Sequence, residues 1–160
     1  MNFELAQVNI GRILGPMDSE VMADFAANLD YINGLAESSD GFIWRLKDEN
    51  NNATDIKMFD DEFLLVNMSV WKNVETLFEF TYRTMHTEFL KRRKEWFSKL
   101  DQMHYALWYV PAGHKPTTAE AKVRLEHLQQ NGDTPYAFGF KKKFSAEEYA
   151  AFTLNDSINQ

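Results

Sequence analysis

The side chains best placed for chemistry lie mid-chain, where an apolar strand precedes a long amphipathic helix. Asn67, Ser69 and Trp71 alternate along this strand, so they share one face of the predicted sheet. A polar group in a dry core is costly unless it is hydrogen-bonded, so polar residues within an apolar strand favour a wet cavity. The pattern therefore predicts a ligand cavity against this strand.

His86, on the helix that follows, is the residue best suited to acid–base chemistry. Histidine exchanges a proton readily near neutral pH, so a histidine that faces a cavity can take a proton from a substrate. The alternative is structural, with the ring hydrogen-bonded to the backbone or to Tyr82 one turn earlier. We expect His86 to be the catalytic base and Arg83 to help orient the substrate.

Further candidate contacts are cationic or aromatic. Arg45 and Arg83 can each hold an anionic group, because the guanidinium fork matches a carboxylate, or can pair with a surface carboxylate instead. Tyr82 and Trp108 could line the cavity, although buried aromatics more often belong to a core or a subunit interface. We predict Arg45, Tyr82 and Trp108 as substrate-binding residues, together with Asn67, Ser69 and Trp71.

Charge and composition exclude several classes of function. The net charge of -7 argues against a nucleic-acid partner, since phosphate binding needs a basic surface. The basic run 91–94 is interpreted as a solvated helix surface, with an arginine that reaches a bound carboxylate or phosphate as the alternative. The absence of cysteine excludes disulfides, thiol catalysis and cysteine metal sites. The four histidines show no ligand spacing, so no metal site is expected.

The 160 residues suit one domain that buries its own core. No apolar stretch approaches the length of a membrane span, and no secretory leader pattern opens the chain, so we expect a cytoplasmic protein without a membrane partner. Only seven glycines are present, and none forms a phosphate-binding loop between a strand and a helix, which disfavours nucleotide binding.

Hydrophobic periodicity predicts an alternation of strands and helices. Strands are expected over 3–10, 42–46, 63–71 and 104–110, and helices over 19–35, 73–100 and 117–132, with a possible break over 84–87 in the second helix. Four helix caps are predicted, namely Asp18 or Ser19, Asn73, Thr117 and Ser145. A short strand over 138–140 and a terminal helix follow. The order β-α-β-β-α-β predicts an α+β ferredoxin-like fold with an antiparallel sheet and extra C-terminal helices.

Strand alternation divides the sheet into two unlike faces. One face is wholly apolar, with Ala6, Val8 and Ile10 on the first strand, and we expect it beneath the two main helices. The other face is mixed, with Gln7 and Asn9 on the first strand. We expect something other than water alone to cover the mixed face.

Four segments carry a family resemblance, and they are Gly41 to Leu46, Asn67 to Trp71, Arg92 to Phe97 and Leu107 to His114. They resemble the DUF3291 family, within the dimeric α/β-barrel superfamily of antibiotic-biosynthesis monooxygenases, haem-degrading monooxygenases and chlorite dismutases. The similarity covers nearly all of residues 3–140. We therefore take 1–140 as one domain and 141–160 as a C-terminal extension with a short helix.

The resemblance implies a homodimer whose two sheets face one another, with a ligand cavity between sheet and helices. In haem-binding members of the superfamily, a helical histidine ligates the iron beside an asparagine and a tryptophan. Asn9, Trp71 and His86 could take those parts, although His86 lies further beyond Trp71 than in the haem degraders. Asn9 is thereby added to the predicted substrate contacts.

The leading hypothesis is a small-molecule-binding enzyme that resembles the cofactor-independent monooxygenases. It would act without a cofactor on an aromatic or anionic organic substrate. One alternative is a haem-binding or haem-degrading protein with His86 as the axial ligand. The other is a non-catalytic carrier or interaction module, in which the aromatic cleft and the dimer are the whole function.

Overall fold

The computed structural model describes residues 2–48, 52–54, 56–83 and 86–158, apart from the side chains of residues 86, 87 and 156–158. The strands in these ranges are β1 (Phe3–Ile13), β2 (Phe42–Arg45), β3 (Leu64–Trp71), β4 (Phe97–Ser98) and β5 (Tyr105–Pro111). The α-helices are α1 (Ala23–Glu37), α2 (Val74–Arg83), α3 (His86–Lys91), α4 (Arg93–Trp96), α5 (Thr118–Asn131) and α6 (Ala146–Ile158).

The sheet has the strand order of the predicted ferredoxin-like fold. β1 is central, with β3 on one side and β5 on the other, and β2 pairs with the outer edge of β3. All of these pairings are antiparallel. The short β4, absent from the sequence prediction, pairs with the end of β1 at Arg12 and Ile13. The predicted α+β class and element order are confirmed.

The two faces of the sheet are covered differently from the sequence prediction. The wholly apolar face, which includes Ala6, Val8 and Val70, packs against Leu125 and Leu128 of α5. We expected that face beneath α1 and the helix after β3, and this expectation is wrong. α5 supplies an apolar stripe of its own, and the partly buried segment 56–59 completes the cover.

The mixed face of the sheet lies beneath α1 and α2. Trp71 on β3 stacks on Phe80 of α2 with ring centroids 5.2 Å apart, and Leu77 packs in the same cluster. Leu35 of α1 and Phe140, from the segment after α5, are partly buried against this cluster. The helices cover part of this face but leave space between themselves and the sheet. Polar residues are tolerated here because they are not buried in a dry core.

The helix predicted over 73–100 is divided. α2 ends at Arg83 and α3 begins at His86, while the predicted break covers residues 84 and 85, which are outside the described part. A turn at Arg92 separates α3 from α4, and the chain becomes extended at Phe97. The prediction of helix as far as residue 100 is therefore wrong. The turn directs Phe97 into the sheet edge.

Three of the four predicted caps are present. The cap expected at Asp18 or Ser19 is wrong, because α1 begins only at Ala23 and Ser19 makes no side-chain cap hydrogen bond. The Asn73 side chain accepts from the Thr76 amide at 2.9 Å, and the hydroxyl oxygens of Thr117 and Ser145 each accept from the amide three residues later at 3.1 Å. The predicted strand over 138–140 is reduced to one bridge between Phe138 and Leu107.

The C-terminal segment packs on the domain. The Tyr109 hydroxyl donates to the Phe144 carbonyl oxygen at 2.7 Å, and the rings of Phe3 and Tyr149 meet edge to face at 5.4 Å. Burial, and to a smaller extent the nearby glutamates, raises the pKa of Tyr109 to about 12, so its hydroxyl remains a donor. No helix in the described ranges is long and apolar enough to cross a membrane.

Candidate functional site

A cavity of about 280 Å³ lies between the mixed face of the sheet and the helices α1 to α4. Its floor is polar and its walls are mainly aromatic and aliphatic. The floor is formed by Gln7, Asn9, Asn67 and Ser69, and the walls include Phe25, Leu29, Ala36, Trp71, Leu77, Phe80, Phe89, Trp96, Phe97, Tyr105 and Phe140. The volume lies just below the usual range for drug-sized ligands, so it suits a molecule of one or two rings.

The floor is held by one hydrogen-bond network. The Gln7 side-chain nitrogen donates to the Asn67 side-chain oxygen at 2.7 Å and to the Ser69 hydroxyl oxygen at 2.8 Å. The Trp71 indole nitrogen donates to the same Ser69 oxygen at 2.8 Å. The network fixes the Trp71 ring and one end of the Asn67 amide. Asn67 is exposed, so the other end of its amide is available to a ligand.

The strand register explains why these residues meet. Gln7 is opposite Ser69, and Asn9 is opposite Asn67, in the antiparallel pairing of β1 with β3. Directly opposed side chains lie on the same face and within contact distance. The two opposed polar pairs are neighbours on the same face of the sheet, and together they form a continuous polar floor.

A basic group on the cavity wall contacts β1. The Arg93 guanidinium donates to the Ile10 carbonyl oxygen at 3.3 Å and lies 5.0 Å from the centroid of the Phe97 ring. Burial lowers the pKa of Arg93. Burial, and then the charge of Arg93, lowers the pKa of His104, so His104 is a neutral proton acceptor at neutral pH.

Gly11 allows the close approach of Phe97 to β1. A Cβ atom at position 11 would lie 2.6 Å from the Phe97 ring, closer than real contacts allow. Because Phe97 carries the Arg93 guanidinium on its ring face, Gly11 indirectly sets the position of Arg93 on the wall.

Arg45, a predicted contact, also lines the cavity. Its side chain is almost fully buried, and its Nε donates to a Glu37 carboxylate oxygen at 2.7 Å. Tyr82, another predicted contact, lies at the more open part of the wall. Its ring packs on Phe78 at 4.8 Å and on Phe140 at 5.5 Å, and burial, with a smaller effect from Tyr105, raises its pKa.

The structure places two predicted residues away from the cavity. Arg83 is exposed, pairs with Glu79 at 3.7 Å and is not among the described residues that line the cavity, so its expected role stays a prediction. Trp108 is fully buried on the opposite face of the sheet, where its indole nitrogen donates to Glu120 at 2.9 Å. The register causes this, because Trp108 is opposite Ala6, whose side chain belongs to the apolar face.

His86 is the first residue of α3, and its side chain lies outside the described residues. Its predicted role as base or haem ligand stays a prediction. The structure adds polar residues that were not among the predicted contacts, among them Gln7, Arg93 and His104. Alternation along β1 already put Gln7 on the mixed face, whereas Arg93 and His104 reach the cavity only through the turns that flank β4.

No group of three or more His, Asp or Glu side chains in the described part of the chain is arranged to hold a metal ion.

Three comparisons relate the chain to known proteins. The model of a domain of unknown function, DUF3291, matches residues 4–154, which is nearly the whole chain and extends beyond residue 140. No curated protein matches significantly.

Two solved structures are similar in shape. One is a mutant of SnoaB, a cofactor-independent oxygenase from Streptomyces nogalater, with 12% identity over 70% of this chain and 95% of that chain, and a TM-score of 0.45. The other is Rv0793 from Mycobacterium tuberculosis, with 10% identity over 72% of this chain and 98% of that chain, and a TM-score of 0.41. Similarity at this level says nothing about activity.

Proposed function

We propose that this chain, which belongs to the DUF3291 family, binds a small aromatic organic molecule between its sheet and helices and acts on it as a cofactor-independent, monooxygenase-like enzyme. The observation that carries the proposal is a cavity with a hydrogen-bonded polar floor beneath aromatic walls. Such a combination orients a ligand through a few polar contacts and binds it through apolar area.

The walls of the cavity supply aromatic contacts to a ligand, and the floor supplies a hydrogen bond. Trp71 and Phe80, stacked on one another, give the cavity a rigid aromatic wall. The free end of the Asn67 amide offers a hydrogen bond to a ring substituent. Because Asn67 is already held by Gln7, little side-chain entropy is lost when the ligand binds.

The chemistry begins with removal of a proton from an electron-rich substrate. His104 is suited to accept it, because it is neutral and half-buried on the cavity wall, and His86 is the base predicted from sequence. The substrate carbanion then gives an electron to molecular oxygen, and the two radicals combine into a peroxide anion. The protonated histidine returns its proton to this anion, which gives a hydroperoxide. Where the same carbon carries a second hydrogen, loss of water leaves a carbonyl group, so one oxygen atom stays on the substrate and the other leaves as water.

A cavity-filling substitution tests where the ligand binds. We expect Ala36→Trp, on the α1 wall, to abolish the thermal stabilisation that small phenolic and aromatic compounds give the wild type. Val123→Trp is the matched control, since it adds the same ring at an exposed position of α5. Equal ligand stabilisation in both variants would count against this cavity as the binding site.

Oxygen consumption tests the reaction. With a compound that binds, we expect slow uptake of oxygen that His104→Gln lowers by about 10²-fold or more, the usual contribution of a general base. Binding without any oxygen uptake would favour the carrier hypothesis instead. His86→Gln, measured beside it, shows which of the two histidines is the base.

The haem alternative receives no support from the described cavity. A volume of about 280 Å³ suits one or two rings rather than a macrocycle. Titration with hemin, compared between the wild type and His86→Ala, remains its direct test. A Soret band that saturates at one hemin per protomer and disappears in the variant would support the haem-binding hypothesis.

A further inference from the structure

The cavity carries a charge opposite to that of the chain. The protein has 24 Asp and Glu against 17 Lys and Arg. Yet no aspartate or glutamate is among the described residues that line the cavity, whereas Arg45 and Arg93 both line it. A basic cavity in an acidic protein concentrates anions, because its low-dielectric walls focus the field of the arginines.

The two arginines differ in their partners. Arg45 is held by the Glu37 carboxylate at 2.7 Å, so its charge is locally compensated. Arg93 contacts a neutral carbonyl oxygen and the face of Phe97, and no carboxylate in the described ranges pairs with it. Most of its guanidinium N–H groups are therefore left for another acceptor.

Arg92, the preceding residue, differs from Arg93 because it forms ion pairs at the surface. It forms ion pairs with Asp24 at 2.7 Å and with Glu95 at 2.9 Å. Arg93 instead turns to the cavity and is half-buried there. Burial of an uncompensated cation is costly, and an anion at the same place offsets that cost.

We infer that the cavity selects a planar organic anion, a carboxylate or a phenolate, and that Arg93 binds its charged oxygen and is the residue that determines this specificity. The inference rests on the proposed function, whose ligand class it narrows. A guanidinium over an aromatic ring is held in one orientation, so it presents its remaining N–H groups as a preformed fork. His104 and Tyr105 also line the cavity.

Matched pairs of ligands test the charge preference. We would measure Kd for one-ring and two-ring aromatic acids beside their neutral amides, and for 4-nitrophenol beside 4-nitroanisole, by quenching of tryptophan fluorescence. The wild type is expected to prefer the anion of a pair by about tenfold or more, as for a hydrogen bond to a charged group. The acid and phenol arms separate carboxylate from phenolate recognition.

Substitution assigns the preference to Arg93. Arg93→Gln is expected to weaken binding of the acid much more than binding of the amide, so that the two affinities come close to parity. Lys94→Gln makes the same change in net charge at an exposed position of the same short helix and is expected to keep the preference. Arg93→Lys keeps the charge but loses the guanidinium fork, so it should retain part of the preference for the acid. It replaces Arg93→Gln in the test if that variant folds poorly.

The outcomes separate this inference from the proposed function. Equal binding of acids and amides by the wild type would overturn the anion inference and leave the cavity as a binding site. A preference that survives Arg93→Gln would also overturn the role of Arg93. Both proposals fail together if neither the charged nor the neutral compounds bind, and if Ala36→Trp does not alter the thermal stabilisation by any ligand.

Discussion

At the scale of single residues, the side chains in the cavity act through their neighbours. Ser69 accepts hydrogen bonds from both Gln7 and Trp71, so its hydroxyl oxygen joins a strand to the aromatic wall. Arg93 likewise lowers the pKa of His104, in addition to the larger effect of burial. Replacement of one of these side chains therefore changes the hydrogen bonding or the pKa of its neighbour.

Stability should depend on pH through His104. Its pKa is lowered on folding, while the unfolded chain has the ordinary value of about 6.5. Below about pH 6.5 the unfolded state binds more protons, so the free energy of unfolding is expected to fall as pH decreases towards the folded pKa. Urea unfolding at a series of pH values should show a smaller decrease in His104→Gln, which lacks the titrating group.

Titration of His104 by NMR provides the control. Arg93→Gln removes the smaller of the two causes, so it is expected to raise the pKa of His104 only part of the way to its ordinary value. An unchanged pKa would show that Arg93 and His104 are not close enough to interact.

At the scale of elements, local signals in the sequence predicted more than non-local ones. The caps at Asn73, Thr117 and Ser145 are short-range hydrogen bonds and were predicted. The face of Trp108 depends on its pairing with β1, and the burial of Arg93 depends on the turn before α4. Neither is encoded in the periodicity of its own segment. The face of Trp108 was therefore missed, and an inward arginine in the run 91–94 was only the alternative to a solvated helix surface.

Side-chain alternation nevertheless located most of the cavity floor. It placed Asn67, Ser69 and Trp71 on one face from a period of two, and that face lines the cavity. The helices that cover this face could not be deduced, because α1, α2 and α5 each carry an apolar stripe. Chain connectivity in three dimensions, rather than hydrophobicity, decides which helix covers which face.

Gly11→Ala tests how β4 positions the cavity wall. The added methyl group would lie 2.6 Å from Phe97, so the ring must shift, and we expect the free energy of unfolding to fall by about 1–3 kcal/mol. The Arg93 guanidinium should move with the ring and weaken binding of organic acids. Denaturant unfolding and acid–amide affinity ratios measure the two effects.

Gly34→Ala is the control for this substitution. Gly34 lies within α1, and nothing is within 4 Å of the methyl group that alanine would add. Alanine is the better helix former by about 0.5–1 kcal/mol, so this variant should be more stable than the wild type. A loss of stability in both variants would point to a general sensitivity of the fold to added methyl groups.

At the scale of the whole molecule, one chain covers both faces of its sheet. α5 covers the apolar face and α1 and α2 cover the mixed face. The mixed face, which we expected something other than water alone to cover, is covered by helices of the same chain. The homodimer implied by the family resemblance stays a prediction, and it no longer decides whether the cavity can form.

Size-exclusion chromatography with light scattering measures the oligomeric state. The homodimer predicts twice the chain mass of 18.7 kDa, independent of dilution in the micromolar range if the interface is of standard size. A species of one chain mass would exclude the dimer. It would leave the ligand predictions unchanged, since the described lining residues come from a single chain.

The bonded floor of the cavity also bears on how its specificity could change by mutation. Replacing Gln7, Asn67 or Ser69 alone leaves a former partner without its hydrogen bond, which costs more than the bond itself contributed. Joint replacement by shape-matched groups avoids that cost. New ligand preferences should therefore arise from libraries that randomise these three positions together, and rarely from single-site scanning.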